Sequence, residues 1–247
     1  LRESVTGDPV LETYLANCLD PQESEEMRKM REHSLSRKQK REKEKEEQQR
    51  NRAKWIARIQ ANPDVVRNPP GLESGQFSND QYWLLREIEK DETRVSRGEA
   101  GANWRSLVPE FGEEVARAFR DAAVAFWRTY KPGLRSEGAD TSTIPYALIF
   151  AMTGLSIEAQ EREDFPSGLS PEEVDQALKY LASELNGFPP WLDDFYKVFP
   201  DRVLAAVRKE LDWELDNSGP DTSHHYILHD LVYYGSWLHS ALAPGLF

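Results

Sequence analysis

Cysteine and long apolar runs are scarce in this sequence. Its 247 residues include one cysteine, Cys18, which excludes an internal disulfide framework and fits a reducing compartment, so we predict a cytoplasmic location. The first residues do not resemble a secretory signal. The most apolar run, residues 144–155, contains Pro145 and Gly154 and is too short to cross a bilayer. We therefore expect a buried core helix there and no membrane partner.

Motifs that carry enzyme chemistry are also missing. The sequence contains no Gly-x-x-x-x-Gly-Lys-Ser/Thr run and therefore no P-loop. Neither a serine nor Cys18 lies in a nucleophile signature. Among 43 acidic residues, neighbours such as Asp193 and Asp194 are far commoner as solvated surface than as an acid/base pair. We predict a chain that is not an enzyme and holds no cofactor.

The net charge of −12 is unevenly distributed along the chain. Residues 23–60 contain 13 Lys/Arg and 8 Asp/Glu, a local charge of +5, and the rest of the chain carries −17. The most basic part is a candidate for contact with a protein partner or with nucleic-acid phosphates. No aromatic residue is interleaved there and acidic residues follow at once, which favours a solvated or protein-contacting helix. The candidate contact residues are Arg37, Lys38, Lys40 and Arg41.

Two helices are predicted in the first 67 residues. Asp8 is the expected N-cap before Pro9 and opens a short amphipathic helix, on whose apolar face Cys18 is expected to be a core residue. Residues 20–23 repeat the start signal as a capping box. No Gly or Pro follows until Pro63, so the sequence predicts a long charged helical arm. A disordered middle is the alternative, and pairing of the arm as a coiled coil is left open.

The remainder of the chain also carries helix signals and no hairpin of alternating strands, so we predict an all-α fold. The clearest start is Ser170-Pro171-Glu172-Glu173, which combines an N-cap, Pro at the first helical position and a capping glutamate. The stretch 147–150 could alternatively be a lone strand. Predicted domains are an arm over 1–67, a linker over 68–78 and a helical domain over 79–247. Predicted helices span about 78–96, 109–130, 144–159, 171–186, 191–198, 200–216, 224–234 and 237–243, with a loop at 97–103 and a short helical turn at Trp104.

A weak internal repeat suggests how these helices are arranged. Residues 111–120 align with residues 199–208, with Phe, Val, Ala and Arg coinciding at an offset of 88. Half of this offset is 44, within the roughly 40–47-residue period of HEAT and armadillo units. Stacked helical hairpins in a HEAT-like α-solenoid are therefore the favoured architecture. A compact helical domain is the alternative.

Late histidines form the one pattern with metal-ligand spacing. His225 and His229 are four residues apart and would share one face of a helix, with Asp221 and Asp230 as further ligands. The sequence lacks the His-Glu-x-x-His glutamate and clustered cysteines, so polar flanks of a helix are the favoured interpretation. A metal-dependent hydrolase is the alternative function that this pattern would support.

Aromatic residues near position 191 are candidates for partner binding, because aromatic side chains often anchor protein interfaces. These candidates are Trp191, Phe195 and Tyr196, all of which could equally be core residues.

Several packing motifs resemble a helical-repeat region of very large bacterial multidomain NTPases of the STAND/NACHT kind, many of which are linked to antiphage defence. The motifs lie at residues 111–121, 126–128, 134–138, 155–159, 184–189 and 212–215. In such proteins an NTPase module drives assembly, and the helical region senses a ligand or restrains an effector. Because the P-loop is missing, the resemblance implies a non-catalytic scaffold or sensor and transfers no catalytic residue. Its expected partners are other domains of the same polypeptide or a separate protein, and the ends at Leu1 and Phe247 suggest a piece of a larger chain.

Overall fold

A computed structural model describes residues 8–19, 25–90, 101–184, 187–219 and 225–243, and the regular secondary structure in these ranges is helical. No strand occurs in these ranges, which confirms the all-α prediction. None of their helices combines the length and apolar character needed to span a bilayer. The α-helices are α1 (Pro9–Leu19), α2 (Glu25–Ala61), α3 (Asp64–Arg67), α4 (Asn79–Ile88), α5 (Val108–Phe111), α6 (Glu113–Thr129), α7 (Tyr146–Glu161), α8 (Pro171–Leu178), α9 (Leu192–Val198), α10 (Pro200–Asp216), α11 (Ile227–Tyr234) and α12 (His239–Leu242). Single 3-10 turns cover Leu72–Ser74, Trp104–Leu107, Arg135–Glu137 and Ser236–Leu238.

Helix α1 begins at the predicted cap. The Asp8 Oδ1 atom accepts hydrogen bonds from the backbone N–H groups of Val10 (2.9 Å) and Leu11 (3.3 Å), which satisfies two donors at the helix start. The prediction that Cys18 is a core residue is wrong, because this side chain is exposed. Leu11 and Tyr14 on the same short helix are exposed as well, so the apolar stripe read from the sequence is not buried.

Helix α2 is a single helix of 37 residues, about 55 Å long at 1.5 Å per residue. It confirms the predicted long helix, whereas the predicted capping box at 20–23 lies outside the described residues. Exposed i,i+4 ion pairs such as Lys29–Glu25 (2.8 Å) support the helix by only a few tenths of a kcal/mol each, roughly 0.2–0.5. Apolar side chains in its first half are exposed, namely Met27, Met30 and Leu35.

Contacts divide the chain into two compact units, residues 1–55 and 56–247. The second unit begins ahead of the stretch 68–78 that the sequence predicts to be a linker. Within this stretch Leu72 is buried, and its carbonyl oxygen accepts a hydrogen bond from Thr129 Oγ1 at 3.0 Å. The Pro- and Gly-rich segment is therefore packed against α6. Its composition predicts turns but does not indicate which part of the chain those turns contact.

The helix predicted over 109–130 is broken at Gly112. This residue has φ 84° and ψ 159°, a backbone conformation that residues with a Cβ rarely adopt. Phe111 and Val115 lie on either side of the break, on α5 and α6, and both are buried. Helix α6 confirms the remainder of the predicted helix and has a buried apolar face, on which four side chains are fully buried: Ala118, Phe119, Ala122 and Phe126.

Helix α7 is the central helix of the second unit. Every residue from 149 to 158 is buried, which confirms a core helix and makes the alternative of a lone strand at 147–150 wrong. Helix α6 packs closely along it at Gly154, where a Cβ atom would overlap the backbone of Ala123. This contact depends on glycine because any side chain would push the two helices apart.

Thr153 carries a buried hydroxyl with no hydrogen-bond partner in the described part of the chain. We expect Thr153→Val, which keeps the shape and removes the hydroxyl, to raise the free energy of unfolding by about 1 kcal/mol in urea titrations. Thr129→Val is the matched control and should be destabilising, because the Thr129 hydroxyl donates to the Leu72 carbonyl. A Thr153→Val protein less stable than the wild type would contradict this expectation.

Other helix boundaries differ from prediction where tertiary contacts intervene. Ser170 forms the expected capping box, and Ser78 is the N-cap that the sequence predicts, with Gln81 completing a capping box there as well. Helix α8, however, ends at Leu178 instead of residue 186. The following turn buries Tyr180 completely and places its hydroxyl 2.8 Å from the Trp127 carbonyl oxygen. Helix α10 has its predicted bounds, and α4 ends at Ile88. In the predicted loop 97–103, residues 101 and 102 are helical and residues 97–100 lie outside the described ranges.

The internal repeat corresponds to two equivalent helices. Helices α6 and α10 have 17 residues each, and every buried position of α10 coincides at the predicted offset with a buried position of α6. Val115 pairs with Val203, and Phe119 pairs with Val207, all of them buried. The equivalence ends where α10 has a glutamate, Glu210 or Glu214, on its buried face.

Candidate interaction surfaces

The structure does not expose the aromatic residues that the sequence offered as partner anchors. Trp191 is 6% exposed and Phe195 is 0% exposed, so these two side chains belong to the core, the alternative that the sequence left open. They pack against each other with ring centroids 5.1 Å apart, and Phe165 contacts Phe195 at 5.3 Å. Tyr196 is half-buried. The short α9 turns its apolar side inward, which the sequence pattern alone did not decide.

The basic residues of the arm are placed where a partner could reach them. Arg37, Lys38, Lys40 and Arg41 all lie exposed in the middle of α2. Lys40 Nζ is 4.0 Å from Glu44, an exposed i,i+4 pair of little energetic weight.

The two histidines are not presented together by one helix, contrary to the prediction. Helix α11 begins at Ile227, so His225 precedes it, and its Nδ1 is 3.3 Å from Ser218 Oγ. His229 Nδ1 is 3.3 Å from Asp230 Oδ1. No group of three or more His, Cys, Asp or Glu in the described ranges is arranged to hold a metal ion. Asp221, the other predicted ligand, lies outside those ranges.

The burial of the Glu158 carboxylate is typical of acid/base residues, but its contacts give it a structural role. Arg128 binds it through two hydrogen bonds of 2.7 Å each, and Arg162 and Trp127 donate at 3.0 and 2.8 Å. Burial raises the pKa of Glu158, but these hydrogen bonds outweigh burial and hold the pKa below its ordinary value. The carboxylate therefore stays ionised and is occupied on both oxygens, which suits neither an acid nor a base.

Helix α11 and Tyr226, the residue directly before it, carry a surface that was not predicted from the sequence. Four of the seven exposed large hydrophobic residues described in the second unit lie within nine positions. We call this set the tyrosine patch: Tyr226, Val232, Tyr233 and Tyr234. Tyr233 is the most exposed of them at 71%, and its ring is 4.7 Å from that of His229. The high density of tyrosine in the segment was the signal available in the sequence.

A buried glutamate holds the start of α11 in place. Glu214 of α10 is 6% exposed and accepts hydrogen bonds from the backbone N–H groups of Tyr226 and Leu228, the latter at 2.9 Å. Tyr226, the N-cap residue of α11, makes no capping hydrogen bond with its side chain, and the Glu214 carboxylate of the neighbouring helix accepts hydrogen bonds from the helix start instead. Ile227 and Leu231 form the buried face of α11 and attach the helix to the core of the second unit.

The patch also has a cationic neighbour. The guanidinium carbon of Arg135 lies 3.3 Å from the centre of the Tyr226 ring, a cation–π contact that orients this ring. An aromatic surface with fixed side chains suits binding of a protein, because ordering flexible groups costs free energy on association.

No protein-family model, curated protein or solved structure matches this chain. Its function must therefore be inferred from its own surfaces. Among the described residues, the tyrosine patch is the one where exposure, aromatic content and rigid support coincide.

Proposed function

We propose that this chain is a non-catalytic protein-interaction module that binds its partner through the tyrosine patch. The observation that carries the proposal is the concentration of exposed Tyr and Val side chains on α11 and at Tyr226 directly before it. Tyrosine is enriched among residues that dominate binding energy, and clustered apolar exposure is typical of interaction sites. The partner is another domain of the same polypeptide or a separate protein.

The setting of this module is part of the proposal. The packing motifs that resemble helical regions of bacterial STAND/NACHT-type NTPases support a scaffold or sensor of such an NTPase, in the cytoplasm and in antiphage defence. The sequence contains no P-loop, which agrees with a sensor or scaffold region that is separate from the NTPase module. Nucleic-acid binding through α2 and metal-dependent hydrolysis through His225 and His229 stay alternative predictions.

The proposal predicts that a partner is lost when the patch is made polar. We expect the double variant Val232→Ser/Tyr233→Ser to bind its partner about ten-fold or more weakly, because one hot-spot residue alone contributes about 2 kcal/mol. The tagged full chain is purified from cells of its source, co-purified proteins are quantified by mass spectrometry, and Kd is then measured with the purified partner.

A matched control separates the patch from exposed apolar residues in general. Val198→Ser/Trp83→Ser changes one exposed Val and one exposed aromatic residue outside the patch and should keep the partner. Both double variants should fold, since all four side chains are exposed, and circular dichroism checks this. Equal partner recovery with the two double variants would refute a binding role for the patch.

A further inference from the structure

Four arginines line one cleft of about 400 Å³ in the second unit, and no residue of the tyrosine patch lines this cleft. The cleft is bordered by α3, the 3-10 turn at 104–107, α6 and the end of α7. Its volume lies in the range of small-ligand sites, roughly 300–1,000 Å³. The arginines are Arg67, Arg105, Arg117 and Arg120.

Glu161 at the end of α7 fixes two of these arginines. It accepts hydrogen bonds from Arg120 Nε at 2.9 Å and from Arg105 Nη1 at 3.0 Å. The indole N–H of Trp104 also donates to it at 2.9 Å, and the Arg105 guanidinium stacks over this indole at 4.2 Å. Burial raises the pKa of Glu161, but the hydrogen bonds from Trp104 and Arg120 outweigh it and keep the carboxyl ionised.

Two further carboxylates position the other arginines. Asp121 accepts hydrogen bonds from Arg67 Nε at 3.1 Å and from Arg120 Nη1 at 3.0 Å, so it bridges α3 and α6. Glu113 accepts a hydrogen bond from Arg117 Nε at 2.7 Å, one turn earlier on α6. Each guanidinium is thus held through its Nε or Nη1 edge.

The Nη2 groups remain available. In the described part of the chain, none of the Nη2 atoms of these four arginines donates a hydrogen bond. A guanidinium presents its donors as a planar fork that matches the oxygens of phosphate. Four oriented forks exceed what one carboxylate ligand can satisfy, whereas two linked phosphates offer several acceptor oxygens.

We propose that this cleft binds a small ligand that carries a diphosphate group. The four guanidinium groups outnumber the three carboxylates of the lining, so the cleft is cationic on a chain whose net charge is −12. That overall charge disfavours non-specific anion binding. Saturable binding of an anion would therefore be due to the arginines of the cleft. The carboxylates preorganise the arginines, at the cost of part of the attraction for an anion. The inference is independent of the tyrosine patch.

Isothermal titration calorimetry of the full chain with inorganic pyrophosphate at low ionic strength tests the proposal. We expect saturable binding that Arg117→Ala weakens about ten-fold, the effect of losing one charge-assisted hydrogen bond. Arg117 is 60% exposed, so this variant should fold, and circular dichroism checks it. Glu113→Gln removes the carboxylate beside Arg117 and should strengthen binding about two- to five-fold. Arg208→Ala, an exposed arginine of α10 outside the cleft lining, is the control for net charge.

Two further titrations identify the source of the diphosphate. ADP binding at least as strongly as pyrophosphate supports a nucleotide ligand, and weaker ADP binding supports free diphosphate; both outcomes support the proposal. Succinate should bind much more weakly than pyrophosphate. The proposal is overturned if pyrophosphate does not saturate, if succinate binds equally well, or if Arg117→Ala and Arg208→Ala have the same effect.

Discussion

Glu158→Ala is expected to lower the free energy of unfolding by about 3 kcal/mol, because it leaves the partly buried Arg128 and the buried Trp127 N–H without their acceptor. Arg128 would lose two hydrogen bonds to Glu158, and Trp127 would lose the partner of its buried indole N–H. Arg128 keeps Glu173, at 2.5 Å, as a second acceptor, which limits the loss. Urea unfolding at neutral pH measures the effect.

The charge of Glu158 should account for a pH-dependent part of this stability. Its pKa is held below the ordinary value in the folded chain. The stabilisation is therefore complete above the unfolded pKa, about 4.3, and is lost as the pH falls through the lower folded pKa. Glu158→Gln should destabilise the chain by about 2 kcal/mol at pH 7, and the difference from the wild type should shrink at acidic pH.

An exposed glutamate provides the control for these variants. Glu163→Gln also removes one acidic charge, on a side chain that is exposed, and should change stability by less than about 0.5 kcal/mol. If Glu158→Gln behaves like Glu163→Gln, or if its effect is constant between neutral and acidic pH, the proposed role of the buried carboxylate is wrong.

Gly154→Ala is expected to destabilise the second unit by about 3 kcal/mol, because overpacking forces the backbone to shift. A Cβ atom at this position would overlap the Ala123 carbonyl oxygen at the closest approach of α6 and α7. The intrinsic helix preference of Ala over Gly acts in the opposite direction by about 1 kcal/mol, so the sign of the result tests the packing directly. Thermal and urea unfolding measure it.

Gly219→Ala is the matched control for this substitution. Among the described residues, no heavy atom lies within 4 Å of a Cβ added at Gly219. This variant should therefore change the free energy of unfolding by no more than about 0.5 kcal/mol. A Gly154→Ala chain that is as stable as the Gly219→Ala chain would show that α6 and α7 tolerate a wider separation.

Caps and breaks explain which parts of the fold could be predicted. Asp8, Ser78 and Ser170 were identified as N-caps because a cap is a local device: its side chain bonds to backbone groups two or three residues away. The break at Gly112 was missed, since glycine permits a positive φ without requiring it. The early end of α8 was missed because the contact of Tyr180 with Trp127 joins residues 53 positions apart.

The candidate sites were harder to predict than the helices. An aromatic side chain in or beside a short helix gives no indication of whether it faces the core, so the sequence did not distinguish the buried Trp191 and Phe195 from the exposed Tyr233. The arginine cleft combines residues from Arg67 to Glu161, and no spacing in the sequence brings them together. Their common position follows from how α3, α6 and α7 pack.

The sequence by itself determined the helical class, the helix starts and the unequal distribution of charge, because capping, periodicity and composition act over a few residues. Tertiary structure alone decided which aromatic residues are exposed, where helices end and which charged groups meet. Burial and hydrogen bonding between distant residues, such as Glu214 with Leu228 across two helices or Arg128 with Glu158, set these features, and such pairings depend on the completed packing of the chain.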